Sequence, residues 1–402
     1  MRFFSCSRAI FAEKRMDYSE RACLCALNRI FGFIPQKGFQ LYRYAGTAAA
    51  VFGLAPEELR ACLGPHGALA DRIGLRAVEE AARELAALGE RGARFVGIDD
   101  GEYPALLREC ADPPLGLYIR SATPPERLFS NLSPVAVVGT RKITPYGAEW
   151  CRRIVRGMAA APGRSVVVSG LAFGTDVIAH RTALENGLPT IGVMATGIDS
   201  IYPRQHREIA ERMASSPGSA LLTDYPPGSE PVAAAFMRRN RIIAGLSRAV
   251  VLIESRFRGG GLITARYAND YARDLYALPG RADDECSQGC NLLIRDQRAE
   301  AITDVADLVH RLGLGTLARR RKEDLYAEAL RRLSPALPAE EAARAAGLLL
   351  LVRACRGITL DQLCARSGLA YPQVSACVHR LEAEGFLSID LLQRCCVNAK
   401  KL

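Results

Sequence analysis

The sequence predicts an α/β protein whose centre is a doubly wound parallel sheet, preceded by a small helical module and followed by a winged helix. Three observations carry this. Between about 134 and 310, β-branched runs alternate with amphipathic stretches: PVAVVG (134–139), SVVVSG (165–170), TIGVMATG (190–197), SALLTDY (219–225), AVVLIES (249–255) and DLYALPG (274–280). Near-continuous apolar strands that alternate with helices belong to a parallel sheet covered on both faces. Residues 344–402 read as helix, helix, turn, helix and hairpin, and residues from about 17 to 75 as short helices joined by Gly/Pro turns.

Taken in order, MRFFSCSRAIFAEKR has an apolar patch broken by Arg8 and no small-residue cleavage site, which makes a poor signal peptide. Residues 1–16 are therefore expected to be disordered or an artefact of start-site choice, with Met16 as the other start. The helical module spans 17–90 and the α/β core 91–312. Residues 313–343, with the basic run Arg319-Arg320-Arg321-Lys322 and the breakers Pro335 and Pro338, read as a linker. In the winged helix (344–402), Thr359 is placed to cap the helix of ITLDQLCARSG, Pro372 opens the next helix and Gly385 follows its end. The helix 372–384 would be the groove reader, but Arg380 is offset by Glu382 and Glu384. Partner docking or a structural role is favoured over duplex binding.

Composition narrows the function. A length of 402 residues allows two or three domains, and the net charge of +10 favours polyanionic partners. The 13 Cys form no C-x-x-C pair and the five His lie apart, which fits free thiols in a reducing cytoplasm better than a metal site. No apolar run approaches the ~20 residues a membrane helix needs.

The stretch FMRRNRIIAGLS (236–247) crowds Arg238, Arg239 and Arg241 around Asn240 ahead of an apolar run, as if one turn grips an anion while the rest anchors in a core. Four loops at strand ends carry small or basic residues: Gly139-Thr140-Arg141-Lys142; Ser169-Gly170 through Gly174-Thr175-Asp176; Thr196 through Tyr202, Arg204, His206 and Arg207; and Arg256 through Gly259-Gly260-Gly261 to Thr264. On one rim of a sheet these make a phosphate-lined site. No G-x-G-x-x-G follows the first strand and no P-loop occurs. Asp176 and His180 lie one helical turn apart, but a helix-capping carboxylate beside a core histidine explains them better than a catalytic pair. Ser169 has no evident base.

The ordered blocks VAVVGTRKITPYG, VVVSGLAFGTDVIAH, IDSIYP, YPPG, RRNRIIAGLSRAVVLIES, GGGLITARYA and ALPG resemble the DNA-processing protein A (DprA/Smf) family. The resemblance covers about 95–310 and implies a Rossmann-like core with a SAM-like N-terminal module. It also implies single-stranded DNA binding, a homodimer, a RecA recombinase partner during natural transformation, and neither cofactor nor catalysis. Carried over, it puts DNA contacts at Arg141 and Lys142; Ser169, Gly170, Gly174 and Thr175; Tyr202, Arg204 and Arg207; Arg238, Asn240 and Arg241; and Gly260, Gly261 and Thr264. The sequence departs from the family pattern at Met237 (usually Pro), Thr175 (usually Ile) and His206 (usually Asn). Phe173, Tyr202 and Phe257 are candidates to stack bases, with core packing the favoured role for each taken singly.

Two rivals remain. A nucleotide phosphoribohydrolase would use a comparable glycine loop, but the carboxylate it needs is replaced by Ala265, Arg266 and Tyr267. A duplex-binding regulator would act through the winged helix.

Overall fold

The computed structural model describes residues 19–130, 132–315, 322–355, 357–389 and 394–397. The expectation for residues 1–16 lies outside them. The chain divides between Leu317 and Ala318 into two compact units.

In the first unit the strands are β1 (Ala93–Gly97), β2 (Gly116–Arg120), β3 (Ser133–Val138), β4 (Ser165–Ser169), β5 (Thr190–Val193), β6 (Ala220–Thr223), β7 (Ala249–Leu252), β8 (Asp274–Ala277) and β9 (Glu300–Ala301). They form a nine-stranded sheet in the order β1-β2-β6-β5-β4-β3-β7-β8-β9. From β6 to β9 every pairing is parallel, whereas β1 and β2 run antiparallel at one edge. The six apolar runs are β3 to β8, and every residue of β4, β5, β6 and β7 is buried. β1 and β2 escape the sequence pattern because RFVG and GLYIR are short and interrupted by Gly and Arg.

From β3 the chain steps one way across the sheet to β6, then returns to the other side of β3 for β7. The reversal falls between β3 and β7, paired from Val135↔Ala249 to Val138↔Leu252. In open α/β sheets the crevice beyond the carboxyl ends at such a reversal is where ligands bind.

The helical module is no separate body. Ser19 caps the helix Glu20–Phe31 through a bond from the Ala22 amide, and this helix buries nine of its residues, among them Leu24 and Leu27. They share one hydrophobic core with Phe95, Tyr118 and Leu222 of the sheet. Buried Asn28 donates to the Asp224 carbonyl at 2.8 Å, and the Tyr118 hydroxyl donates to Glu84 at 2.5 Å. The boundary expected near 90 is crossed by a continuous core.

The second unit has helices Lys322–Leu333, Ala339–Ala354, Leu360–Ser367 and Tyr371–Ala383, with a small sheet of β10 (Ile358–Thr359), β11 (Leu387–Ile389) and β12 (Arg394–Val397) in the order β10-β12-β11. Thr359 and Gln362 make a reciprocal capping box, and Gly368 ends its helix at φ 71. This is the expected winged helix with an added helix. Residues 313–343 are not a plain linker: Ala329 and Leu333 of Lys322–Leu333 are buried in the same core as Leu349 and Phe386. The Leu/Ala content that suggested a linker helix supplies that apolar face. Arg319 to Arg321 lie outside the described residues.

Core continuity has a direct test. Leu27→Ala empties a fully buried site and costs about 2–5 kcal/mol. The expected outcome is a lower denaturant midpoint for the fluorescence of Trp150, the sole Trp, in the helix Pro145–Ala160. An unmoved Trp150 transition would mean that the module unfolds alone.

Candidate nucleic-acid interface

A cavity of about 340 Å³ opens at the β3/β7 reversal. Gly139–Arg141 after β3 and Ser255–Gly261 after β7 form two walls, Ala172 from the loop after β4 with Asp176 in the first turn of the following helix Thr175–Glu185 a third, and Phe236, Met237, Arg239 and Asn240 of the helix Ala233–Leu246 the fourth. Sequence reading counted Arg239 in the arginine cluster but not among the expected contacts. It is 3% exposed, and its Nη1 donates to the carbonyls of Gly170 and Val193 while its Nε has no hydrogen-bond partner among the described residues. Burial lowers the Arg239 pKa to about 10, opposed by the Asp176 charge, with Arg141 pushing the same way as burial. Burial also raises the Asp176 pKa, against the Arg239 charge and a bond from the Ala172 amide at 3.3 Å. Arg141, Arg239 and the Asp176 carboxylate all line the cavity.

Close packing around this arginine explains two glycines. A Cβ on Gly170 would stand 2.0 Å from the Arg239 guanidinium. Gly174 has φ +75, and a Cβ there would meet the Thr140 carbonyl at 2.3 Å. The loop after β3 is fastened by Glu254, which sequence reading also missed. This fully buried carboxylate accepts from the Thr144 amide at 2.9 Å and the Thr144 hydroxyl at 2.5 Å. A lone acid ending an apolar strand was the available signal.

The expected contacts separate into groups. Arg141 is exposed with its guanidinium 5.1 Å from the Phe236 ring, and Asn240, Gly260, Gly261 and Thr264 line the same cavity. Lys142 is exposed on the loop after β3, and Arg204 and Arg207 are exposed after β5, in a 3-10 turn and at the start of the helix Arg207–Ser215. Ser169 and Thr175 are buried and tie loops together: Ser169 Oγ donates to Val137 O at 2.6 Å and Thr175 Oγ1 to Thr140 O at 3.2 Å. Arg238 leans toward the helical module, with Nη2 donating to Gly32 O at 2.9 Å.

Arg241 requires a correction. It is 3% exposed, paired with Asp224 at 2.6 Å and donating to Asp112 O at 2.6 Å. A phosphate cannot reach it, because its charge is already spent inside the core. Core packing for the aromatics is corrected as well: Phe173 (44% exposed), Tyr202 (46%) and Phe257 (56%) stand in solvent. Tyr202 lies 5.4 Å from Phe236, and Phe173 meets His206 edge-on at 4.9 Å. His206 is buried against the Leu171 carbonyl at 2.8 Å and so supports the loop beneath Phe173.

His180 is a core histidine. Its Nδ1 contacts Thr190 Oγ1 at 2.7 Å, and burial lowers its pKa to about 3. Among the described residues, no group of three or more His, Cys, Asp or Glu is placed to hold a metal ion.

Two outcomes follow for stability. Arg241→Ala strands the buried Asp224 charge and should cost about 3–5 kcal/mol in denaturant unfolding, whereas exposed Arg141→Ala should stay within about 0.5 kcal/mol. If Arg241→Ala unfolds like wild type, the internal ion pair is not what holds this arginine. For His180, the unfolded ring takes its proton near 6.5 and the folded ring near 3. Its contribution is therefore complete above about 6.5 and falls by up to about 1.4 kcal/mol per pH unit below it. The stability gap between wild type and His180→Asn should narrow on acidification from about pH 7 to about pH 5; a constant gap would contradict the assignment.

Comparison with known proteins agrees with this architecture. The profile of the DNA recombination-mediator protein A family matches residues 94–313, and that of the IclR helix-turn-helix domain matches residues 341–390. Protein Smf of Synechocystis is 35% identical over 318 residues, 74% of this chain and 79% of its own length. A putative DNA processing protein DprA of Mycobacterium tuberculosis is 34% identical over 358 residues, 81% of this chain and 85% of its own. The X-ray structure of DNA processing protein A from Streptococcus pneumoniae superposes with a TM-score of 0.61 at 29% identity, covering 72% of this chain and 97% of that one. With over half its length matched and its cavity at the strand-order reversal of that matched sheet, the chain belongs to the DNA recombination-mediator protein A family.

Proposed function

We propose that this protein binds single-stranded DNA along the rim of its sheet, acts as a cytoplasmic homodimer, and hands the strand to a RecA-type recombinase. One observation carries the DNA reading: a cationic cavity is bordered by exposed aromatic rings that no core requires. Arg141 and Asn240 face the cavity over the buried Arg239 charge, while Tyr202, Phe173 and Phe257 present open ring faces. Phosphates fit the first group and unpaired bases the second. Every base has a π-face, so stacking of this kind tolerates any sequence but needs the bases out of a duplex. The recombinase and the dimer rest on the family resemblance alone.

A second reading keeps hydrolysis of a nucleotide glycosidic bond, because Asp176 is a carboxylate of raised pKa on the cavity wall. No second carboxylate stands after the glycine loop, where Ala265, Arg266 and Tyr267 follow Thr264. Release of base from nucleoside monophosphates, lost in Asp176→Asn, would favour that reading.

The test is fluorescence anisotropy with single- and double-stranded oligonucleotides over a range of salt. Log K should fall with log salt by about 0.7 per phosphate contacted on single strands. Arg141→Ala should weaken binding about tenfold and reduce that slope by about one contact. Residues 19–315 alone should keep most of the single-strand affinity. Equal affinity for duplex, or an unaltered Arg141→Ala, would overturn the assignment.

A further inference from the structure

Phe33 stands in the short turn between the helices Glu20–Phe31 and Pro35–Ala45 and is 52% exposed. Part of the ring is covered: Tyr225 lies 5.7 Å away at a tilt of 52°, and the Arg238 guanidinium 5.5 Å from its centroid. Arg238 cannot swing away easily, because its Nη2 is bonded to the Gly32 carbonyl at 2.9 Å. The result is a half-exposed ring held beside a cation.

The surroundings are cationic and continuous with the cavity. Met237, 50% exposed, lines the cavity and directly precedes Arg238 on the same helix. Lys37 lies four residues on in sequence, in the first turn of the helix Pro35–Ala45, and its ammonium donates to the neutral Gln40 Oε1 at 3.2 Å. Among the described residues neither Lys37 nor Arg238 has an acidic partner within salt-bridge distance. A half-exposed ring against a guanidinium, with a lysine four residues on in sequence, suits a polyanion that also carries flat apolar groups, which describes a single nucleic-acid strand better than a peptide. A base laid on Phe33 would complete a base–ring–guanidinium stack, in which the cation adds to the ring's attraction.

We propose that Phe33 is a base-stacking platform through which the helical module takes up a single DNA strand leaving the cavity, with Arg238 holding the ring and Lys37 meeting a phosphate. This rests on the single-strand reading above and extends the interface from the sheet rim onto the N-terminal helices. It also gives Arg238 a role that its position outside the cavity otherwise lacks.

The experiment uses the full chain and single-stranded oligonucleotides of about 20 nucleotides carrying 2-aminopurine at successive positions, with Phe33→Leu, Phe33→Tyr and Arg141→Ala beside wild type. Leu keeps apolar cover on Arg238 but removes the aromatic face; Tyr keeps both. Phe33→Leu should weaken binding roughly 5- to 150-fold, the range for one stacked base, and abolish the fluorescence quench at one oligonucleotide position. Phe33→Tyr should retain affinity and quench. Trp150 unfolding is expected to match wild type in both, since the ring is half exposed. If Phe33→Leu binds as wild type, or Phe33→Tyr is equally weakened, the platform is overturned. Should Arg141→Ala weaken binding while Phe33→Leu does not, only the platform fails; absence of single-strand binding by wild type would instead remove the reading beneath it.

Discussion

The site depends on a guanidinium held inside the protein. Arg239 sits at the carboxyl end of the sheet, where its Nη1 joins the carbonyls of Gly170 and Val193, the ends of β4 and β5. An isolated buried cation is costly, and carbonyl dipoles together with Asp176 offset that cost here. Much follows from this placement. Gly170 must lack a side chain, and Asp176 must stay close enough to balance charge. The loops that hold these groups then form the cavity wall.

Helical phase explains how three arginines so close in sequence come to serve three ends. Successive residues turn by about 100°, so side chains three and four apart share a face. Phe236, Arg239, Asn240 and Ile243 share the face that lines the cavity. Arg241 points into the core toward Asp224, and Arg238 toward Gly32 and Phe33. One helix thereby fixes the sheet, furnishes the cavity and meets the helical module. Such a segment has little freedom to vary, whatever the ligand.

The sheet was legible because burial on both faces writes itself as unbroken apolar runs, and β3 to β8 all lie within runs of that kind. β1 and β2 were hidden because short strands interrupted by Gly and Arg carry no such run. The cavity's position could be foreseen from small and basic residues at strand ends, but the division of labour among the arginines could not. Composition treats Arg239 and Arg241 alike; only the register of the helix against the sheet decides that one borders a cavity and the other meets Asp224. Applying helical phase to Phe236 and Asn240 would have separated them. The exposed aromatics were misjudged for a related reason: a Phe in a loop is usually cover for a core, and nothing local reveals that Phe173 lies outside it.

The distribution of rings around the cavity bears on what kind of nucleic acid fits. A duplex offers a continuous wall of phosphates, with its base faces hidden in the stack. Against such a surface Phe257, Tyr202 and Phe173 would lose contact with water and gain no flat partner. A single strand can turn its bases toward these rings while its phosphates face Arg141 and the charge below it. The rings come from the loops after β4, β5 and β7, separate elements of the sheet rim, so a ligand that uses them all must be extended and flexible. A free mononucleotide could fill the cavity but leave those rings bare. Under the proposed reading, Arg141 and the exposed, spread-out rings are satisfied together by a flexible polyanion whose bases are unpaired.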